Sequence, residues 1–420
     1  MITRMGWERG LRVLLLLAAA TALVSWLKRS EDFIHYLEVG NAVLEGRDIY
    51  ADTPTGVNTW PPVFSFLCAI LAASAKANPV LAKGAWLLLN YAVLVGVLGL
   101  LARMVYNRPF TLGVSTTALT ITSPEIVVPL ILAGAFVSAV FEYSQVDLII
   151  FALALTGLYL LRSGRPVPGG LSLGAAAALK VTPVLFIPYF IWRRQWRNAA
   201  WTTMWTALLT LSPAIVFGWN RYVQYLSSWV AVVGRGWDVG KFNQSVFAMW
   251  DRILGHGIIP FSVPGAVLVP KSGAPSVQMA WLLSIAVVTV IAMILFRNDR
   301  ADPDWVQPTE FGVVFIVAGF FGTVTWKHHA VALLFPYTVL FAACRATEFP
   351  KRLRHQLLVA LVAAGALGLT AAHDLVGGAM GGRMEMGSSV TFTALILLTA
   401  LFWLRAALTD EDAATRHQSA

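Results

Sequence analysis

Apolar runs of about 15–20 residues recur from one end of this chain to the other, and that recurrence limits the fold more than any motif. Backbone placed in lipid must satisfy its own hydrogen bonds, which leaves helices or closed barrels. Runs this long and continuously apolar indicate helices. The composition agrees: 57% of residues are hydrophobic and 13% charged, with mean hydropathy +0.69. The expected fold is therefore an all-α polytopic membrane protein, with about 11–13 transmembrane or re-entrant helices. It is expected to form a single integral membrane domain over 1–420, without internal repeats or an appended soluble domain. The net charge of +9 does not point to nucleic acid, because the Lys and Arg residues cluster in short loops between apolar runs. Cys68 and Cys344 both lie inside apolar runs and suggest neither a disulfide framework nor a metal site.

Charge distribution predicts sidedness. The first apolar run, 11–27, is longer than the apolar core of a typical signal peptide and reads as an uncleaved helix. Arg4, Arg9 and Arg12 place the N-terminus in the cytoplasm of a cell membrane, so residues 29–60 emerge outside as a first outer loop. The basic loops "RSGRP" (162–166), "WRRQWRN" (192–198), "RNDRADPDW" (297–305) and "CRATEFPKRLRH" (344–355) are expected inside. By alternation, the long loop 219–275, "GTVTWKHH" (322–329) and "HDLVGGAMGGRMEMGSS" (373–389) are expected outside.

Both flanks of 167–191 are then cytoplasmic, so an odd number of crossings is excluded. A hairpin that breaks near Lys180 and Pro183 resolves this. Each arm would hold about 12 residues, or about 18 Å, well short of the roughly 30 Å hydrocarbon core. Lys180 would sit at the tip, in a protein-lined cavity open to the outside. Between 62 and 147 the breaks at Pro124 and Pro129 leave the number of spans open.

Ionisable groups beside membrane spans are functional candidates. Sidedness brings Glu31 and Asp32, Lys180, His328 and His329, and Asn243 with Gln244 to one face. Each has a simpler explanation. Ser30, Glu31 and Asp32 could be a helix cap with two first-turn acids. Phe33, Tyr36, Leu37, Gly40, Val43 and Leu44 form a helical stripe suited to a membrane surface. Lys180 could snorkel to headgroups, the histidines could be idle interfacial residues, and Asn243-Gln244-Ser245 fits an N-glycosylation sequon.

The stretches "EDFIHYLEVGNAVLEGRDIY" and "TWPPVFSF" resemble the first outer loop of glycosyltransferase family 87. "SQVDLIIFALALTGLYLLRSGRPVPGGLSLGAAAALKVTPVLFIPYFIWRRQWR" resembles its central segment, and "FNQSVFAMWDRIL" and "TVTWKHHAVALLFP" its later motifs. The likeness spans roughly 29–345; the region after 346 carries nothing diagnostic. Ser144-Gln145-Val146-Asp147 departs from the family's usual Gly-Gln-Val-Asn. The resemblance implies a GT-C fold with an extracytoplasmic active site. It also implies inverting transfer of a sugar, with mannose the commonest, from a polyprenyl-phosphate donor to a glycolipid or glycan acceptor. By motif position Asp32 is the implied general base, with Glu31 as substitute. Tyr36, Trp60, Gln145, Asn243 and Gln244 are implied substrate contacts.

The chemistry fits such residues. One carboxylate can take the proton of an attacking hydroxyl. A phosphate leaving group needs no acid, unlike the leaving group of a hydrolase. Its growing charge needs donors or cations, for which Lys180, His328 and His329 are the candidates. No cofactor is expected, and the absence of a DxD-like acid pair suggests no metal. A transporter or flippase, or a polysaccharide ligase or polymerase, would also carry polar groups in broken helices. The former predicts an inverted repeat and midplane sites; the latter predicts several outer arginines for a diphosphate.

Overall fold

The computed structural model describes residues 10, 20–28, 31–54, 56–234, 239–257, 274–297 and 303–419, with backbone alone at 31, 303 and 410–419. Arg4, Arg9, Arg12, Ser30, the side chain of Glu31 and much of the long loop (258–273) lie outside what is described. The expected first helix is described over its second half, as α1 (residues 20–28).

The architecture is all-α and polytopic. Among the described residues, five helices are long and apolar enough to cross a membrane: α4 (Pro79–Tyr106), Trp196–Phe217, α14 (Pro275–Leu295), α17 (Lys351–Leu369) and the first part of α20 (Ser389–Ser419). A bent pair, α5 (Pro124–Leu132) and α6 (Gly134–Glu142), adds a sixth if counted as one span. Only 6% of the α14 window is buried by protein, and Leu282, Leu283 and Ile294 stand out from it. An apolar helix left so uncovered requires lipid around it. By contrast, 56% of the α20 window is buried. This helix packs against α15 (Pro303–Phe320) and α17 in the core.

The ambiguous stretch 62–147 resolves into α3 (Phe64–Ala77), α4, α5 and α6. Pro124 does not break a helix but occupies the first turn of α5, where its missing N–H costs nothing. The bend of 67° falls at Ala133 instead. A two-residue parallel pair, Phe110–Thr111 with Leu119–Thr120, closes the preceding loop.

The segment carrying Lys180 folds back on itself. α7 (Asp147–Arg162) and α8 (Pro166–Leu179) are antiparallel: Gly157 meets Leu173, and Gly169 meets Leu161. α8 ends at Lys180, whose backbone is extended (φ −152°). A 3₁₀ turn (Thr182–Leu185) and α9 (Phe186–Trp192) follow, and then α10 (Trp196–Leu211). α10 runs parallel to α8: a Cβ on Gly170 would lie 2.8 Å from Trp201, and one on Gly174 2.8 Å from Thr206. Two parallel neighbours starting at the same level require the chain between them to return. The 14-residue α8 is roughly 21 Å long, shorter than the hydrocarbon core. The far end of the returning arm is fixed by buried charge. Glu310 of α15 accepts from Tyr189 of α9 (2.8 Å) and from Arg405 of α20 (2.9 Å), and lies 3.2 Å from Arg193.

The stripe expected on a membrane surface is placed differently. α2 (Glu31–Leu44) buries Phe33, Tyr36 and Gly40 against α3, while Leu44 is exposed. Gly40 makes this packing possible, because a Cβ there would fall 2.0 Å from the Cys68 carbonyl oxygen. Exposed apolar side chains occur on α12 (Trp219–Gly234), where Trp219, Val223 and Val230 face outward. It is strapped over the loop after α2 by Arg221 to the Gly46 carbonyl (2.8 Å) and Trp229 to the Thr59 carbonyl (3.1 Å).

Candidate active site

Asp32 occupies the first turn of α2, where the helix dipole favours a carboxylate. Its Oδ2 accepts a 2.6 Å hydrogen bond from Gln145 Nε2. Gln145 Oε1 in turn accepts from the Tyr36 hydroxyl at 2.9 Å. Asp32 and Tyr36 are four residues apart and therefore share a helix face. A single amide thus fixes both. Tyr36 is sealed under Trp60, Phe64 and Trp86.

Gln145 sits in the tight turn between α6 and α7. The preceding Ser144 has φ +56°, the left-handed region where glycine carries no Cβ penalty. Trp86 Nε1 donates to the Ser144 carbonyl (2.8 Å) and holds the strained turn. Two residues on, Asp147 opens α7 and accepts a hydrogen bond from Lys180 at the hairpin tip. In the sequence Asp147 stands out only as a departure from the motif. An acid at the mouth of an apolar helix was the available signal.

His328 and His329 lie on a 3₁₀ turn (Lys327–Leu333) in the loop between spans. His328 Nε2 is 3.8 Å from Asp147 Oδ2. His329 Nδ1 accepts from the Trp326 backbone N–H at 3.3 Å, which leaves the proton of the neutral ring on Nε2. Burial pushes His328 down to about 4 and lowers His329 as well. Both shifts favour the neutral imidazole, which can still donate a hydrogen bond.

Trp60, Gln145, Lys180, His328 and His329 all line one cavity of about 230 Å³. Trp229 of α12 and Trp326 complete its aromatic walls. Neither was singled out from the sequence, which has 16 tryptophans and no local mark to distinguish these two. A smaller cavity of about 50 Å³ adjoins, bounded by Asp147, Lys180 and His329 and closed by Phe186 and Phe315. Asp32 and Tyr36 are not lining residues of either cavity and join the larger one through Gln145; Asn243 and Gln244 do not line either cavity. Both are buried, and their side chains are engaged by backbone. Asn243 donates to the Thr323 carbonyl (3.0 Å) and accepts from the Thr325 N–H (3.1 Å). Gln244 donates to the carbonyls of Lys241 and Glu385, both at 2.6 Å. They shape the 322–326 wall rather than face the cavity, and the buried Asn243 amide is no glycan acceptor.

Asp147, His328 and His329 present ligand atoms within 4.8 Å of one another, a set that could hold a metal ion. Lys180 already sits on that carboxylate, and an ammonium there competes with a cation.

Fold and site together define a polytopic membrane enzyme whose polar centre lies where α2, α7, the end of α8 and the histidine turn meet. Glycosyltransferase family 87 matches residues 58–318, and the chain belongs to that family. It is a membrane glycosyltransferase. The matched segment contains Trp60, Gln145 and Lys180; Asp32, His328 and His329 lie beyond its ends and join it only in three dimensions. The chain is 28% identical over 354 residues to a polyprenol-phosphate-mannose-dependent alpha-(1-2)-phosphatidylinositol mannoside mannosyltransferase of Mycolicibacterium smegmatis. That alignment covers 78% of this chain and 71% of the relative. It is also 26% identical over 197 residues to a polyprenol-phosphate-mannose-dependent alpha-(1-2)-phosphatidylinositol pentamannoside mannosyltransferase of Mycobacterium tuberculosis. This second match covers 46% of the chain and 40% of the relative.

Proposed function

We propose that the protein transfers a mannosyl group, with inversion, from a polyprenyl-phosphate donor to a glycolipid acceptor at the extracytoplasmic face of the cell membrane. The observation that carries this reading is the aromatic-walled cavity shared by Lys180, His328, His329 and the Gln145 that grips Asp32. The sugar and acceptor class follow the relatives named above; the face follows from the basic loops. Donor and acceptor lipids would both reach the cavity from the bilayer.

Asp32 is assigned as the general base. It takes the proton of the acceptor hydroxyl as that oxygen bonds to the anomeric carbon, a role worth roughly 10²–10⁴ in rate. The bond from that carbon to the phosphate oxygen breaks, and the phosphate leaves with the electron pair. Lys180 and the imidazole N–H groups stabilise the charge it gains, as in an oxyanion hole. Asp147 holds Lys180 in place, so the lysine is positioned before the donor arrives. Trp60, Trp229 and Trp326 offer flat apolar faces to sugar rings. No metal is required on this reading, because Lys180 does the work of a cation beside Asp147.

The test is Asp32→Asn in purified enzyme supplied with polyprenyl-phosphate mannose and membrane lipid extract. Transfer should fall by roughly 10²–10⁴ while protein yield stays normal. Undiminished turnover would sink the assignment. Wild-type transfer should also survive EDTA; loss that Mg²⁺ or Mn²⁺ restores would overturn the metal-free reading.

A further inference from the structure

Beside the proposed donor site lies a second buried charge cluster that the transfer scheme leaves unused. Glu385, on α19 (Gly378–Met386), is 3% exposed. Its Oε1 lies 3.5 Å from Lys327 Nζ, and its Oε2 lies 3.1 Å from His373 Nε2. Lys327 is the first residue of the 3₁₀ turn that carries His328 and His329, and its Nζ also donates to the Ala371 carbonyl (3.1 Å). The Glu385 carbonyl accepts from Gln244, which lies behind the 322–326 segment through its own N–H to the Thr325 carbonyl (2.6 Å).

The arrangement is built closely. His373 packs closely on α19 because Gly381 has no side chain; a Cβ there would fall 2.3 Å from the imidazole ring. A buried carboxylate with two basic partners is costly unless the geometry is held. Here the held object is the first residue of the histidine turn. The glycine-rich segment 373–389 lies outside the family match, so nothing in the match assigns it a role.

We propose that Glu385 is a positioning residue for the transfer reaction: acting through Lys327, it holds the turn bearing His328 and His329 against the donor cavity. This rests on the reading of that cavity as the donor phosphate site. Misplacing a catalytic group by about 1 Å can cost about 100-fold in rate. Glu385→Gln keeps the shape and removes the charge that retains Lys327. It should lower kcat/KM by roughly 10- to 100-fold, with the donor KM taking the larger share.

The experiment compares E385Q, K327M and the double variant for transfer kinetics and for binding of polyprenyl phosphate against unphosphorylated polyprenol. If Glu385 acts through Lys327, the double variant is no worse than K327M. E385D should recover part of the loss. Multiplying losses, or E385Q with wild-type donor KM and phosphate selectivity, would overturn the proposal. If E385Q does not accumulate, K327M alone decides: it must show the same donor defect, and a normal donor KM refutes the idea. Wild-type enzyme that fails to prefer polyprenyl phosphate over polyprenol would refute the donor-site reading itself. Wild-type donor KM and phosphate selectivity in E385Q would refute only the role of Glu385.

Discussion

Gln145→Leu probes the contact on which the proposed base depends. The substitution keeps the volume close and removes two hydrogen bonds: the one given to Asp32 (2.6 Å) and the one taken from Tyr36 (2.9 Å). Hydrogen bonds to charged groups are worth about 1.5–3 kcal/mol. If that energy holds the carboxylate in its attacking geometry, its loss corresponds to roughly 10- to 150-fold in kcat. The loss should stay smaller than that of Asp32→Asn, because the carboxylate is still present. Tyr36 is fully buried, and its orphaned hydroxyl should also lower stability by about 1–3 kcal/mol. Initial rates with labelled polyprenyl-phosphate mannose, paired with thermal unfolding in detergent, separate the two effects. Gln145 acts through Asp32, so adding Q145L to D32N should cost no further rate. Losses that multiply in the double variant, or a Q145L effect confined to donor KM, would refute the bridge and make Gln145 a substrate contact instead.

Two further outcomes follow from the buried ion pairs. Lys180→Ala should raise donor KM and lower kcat. It also strands the Asp147 carboxylate, a loss worth about 3–5 kcal/mol of stability. Adding Asp147→Asn, which removes the stranded charge, should return stability but not donor affinity; recovery of both in the double variant would make Lys180 a purely structural partner. At the far end of the returning arm, Glu310→Gln leaves Arg405 and Arg193 without their anion and should cost about 3–5 kcal/mol. Its turnover below the melting transition should stay near wild type, checked by Tm and kcat on the same preparation.

Much of the fold could be read from sequence because its signals are local. Long apolar runs between basic loops require helices in lipid, whatever they pack against. The reversal at Lys180 followed from counting residues against bilayer thickness, and the parallel course of α8 and α10 agrees with it. Hydropathy does not distinguish lipid from protein as the partner of an apolar face. The α2 stripe suited a membrane surface equally well, yet it is buried on α3, and α12 carries the outward apolar face. Polar residues pose the same difficulty. Asn243 and Gln244 had the same character in sequence as Gln145, and only the tertiary structure commits the pair to the wall and Gln145 to Asp32.

The sequence by itself determined the class and the helical character of the chain, and it predicted that an acid, a lysine and two histidines share one face of the membrane. Charge and hydropathy act residue by residue, so one chain suffices to read them. The tertiary structure alone decided which of these groups meet. Asp32 finds Gln145 across 113 positions, Lys180 finds Asp147, and Glu385 finds Lys327. Those partnerships depend on how helices cross and on what a single small residue, such as Gly40 or Gly381, allows to come close.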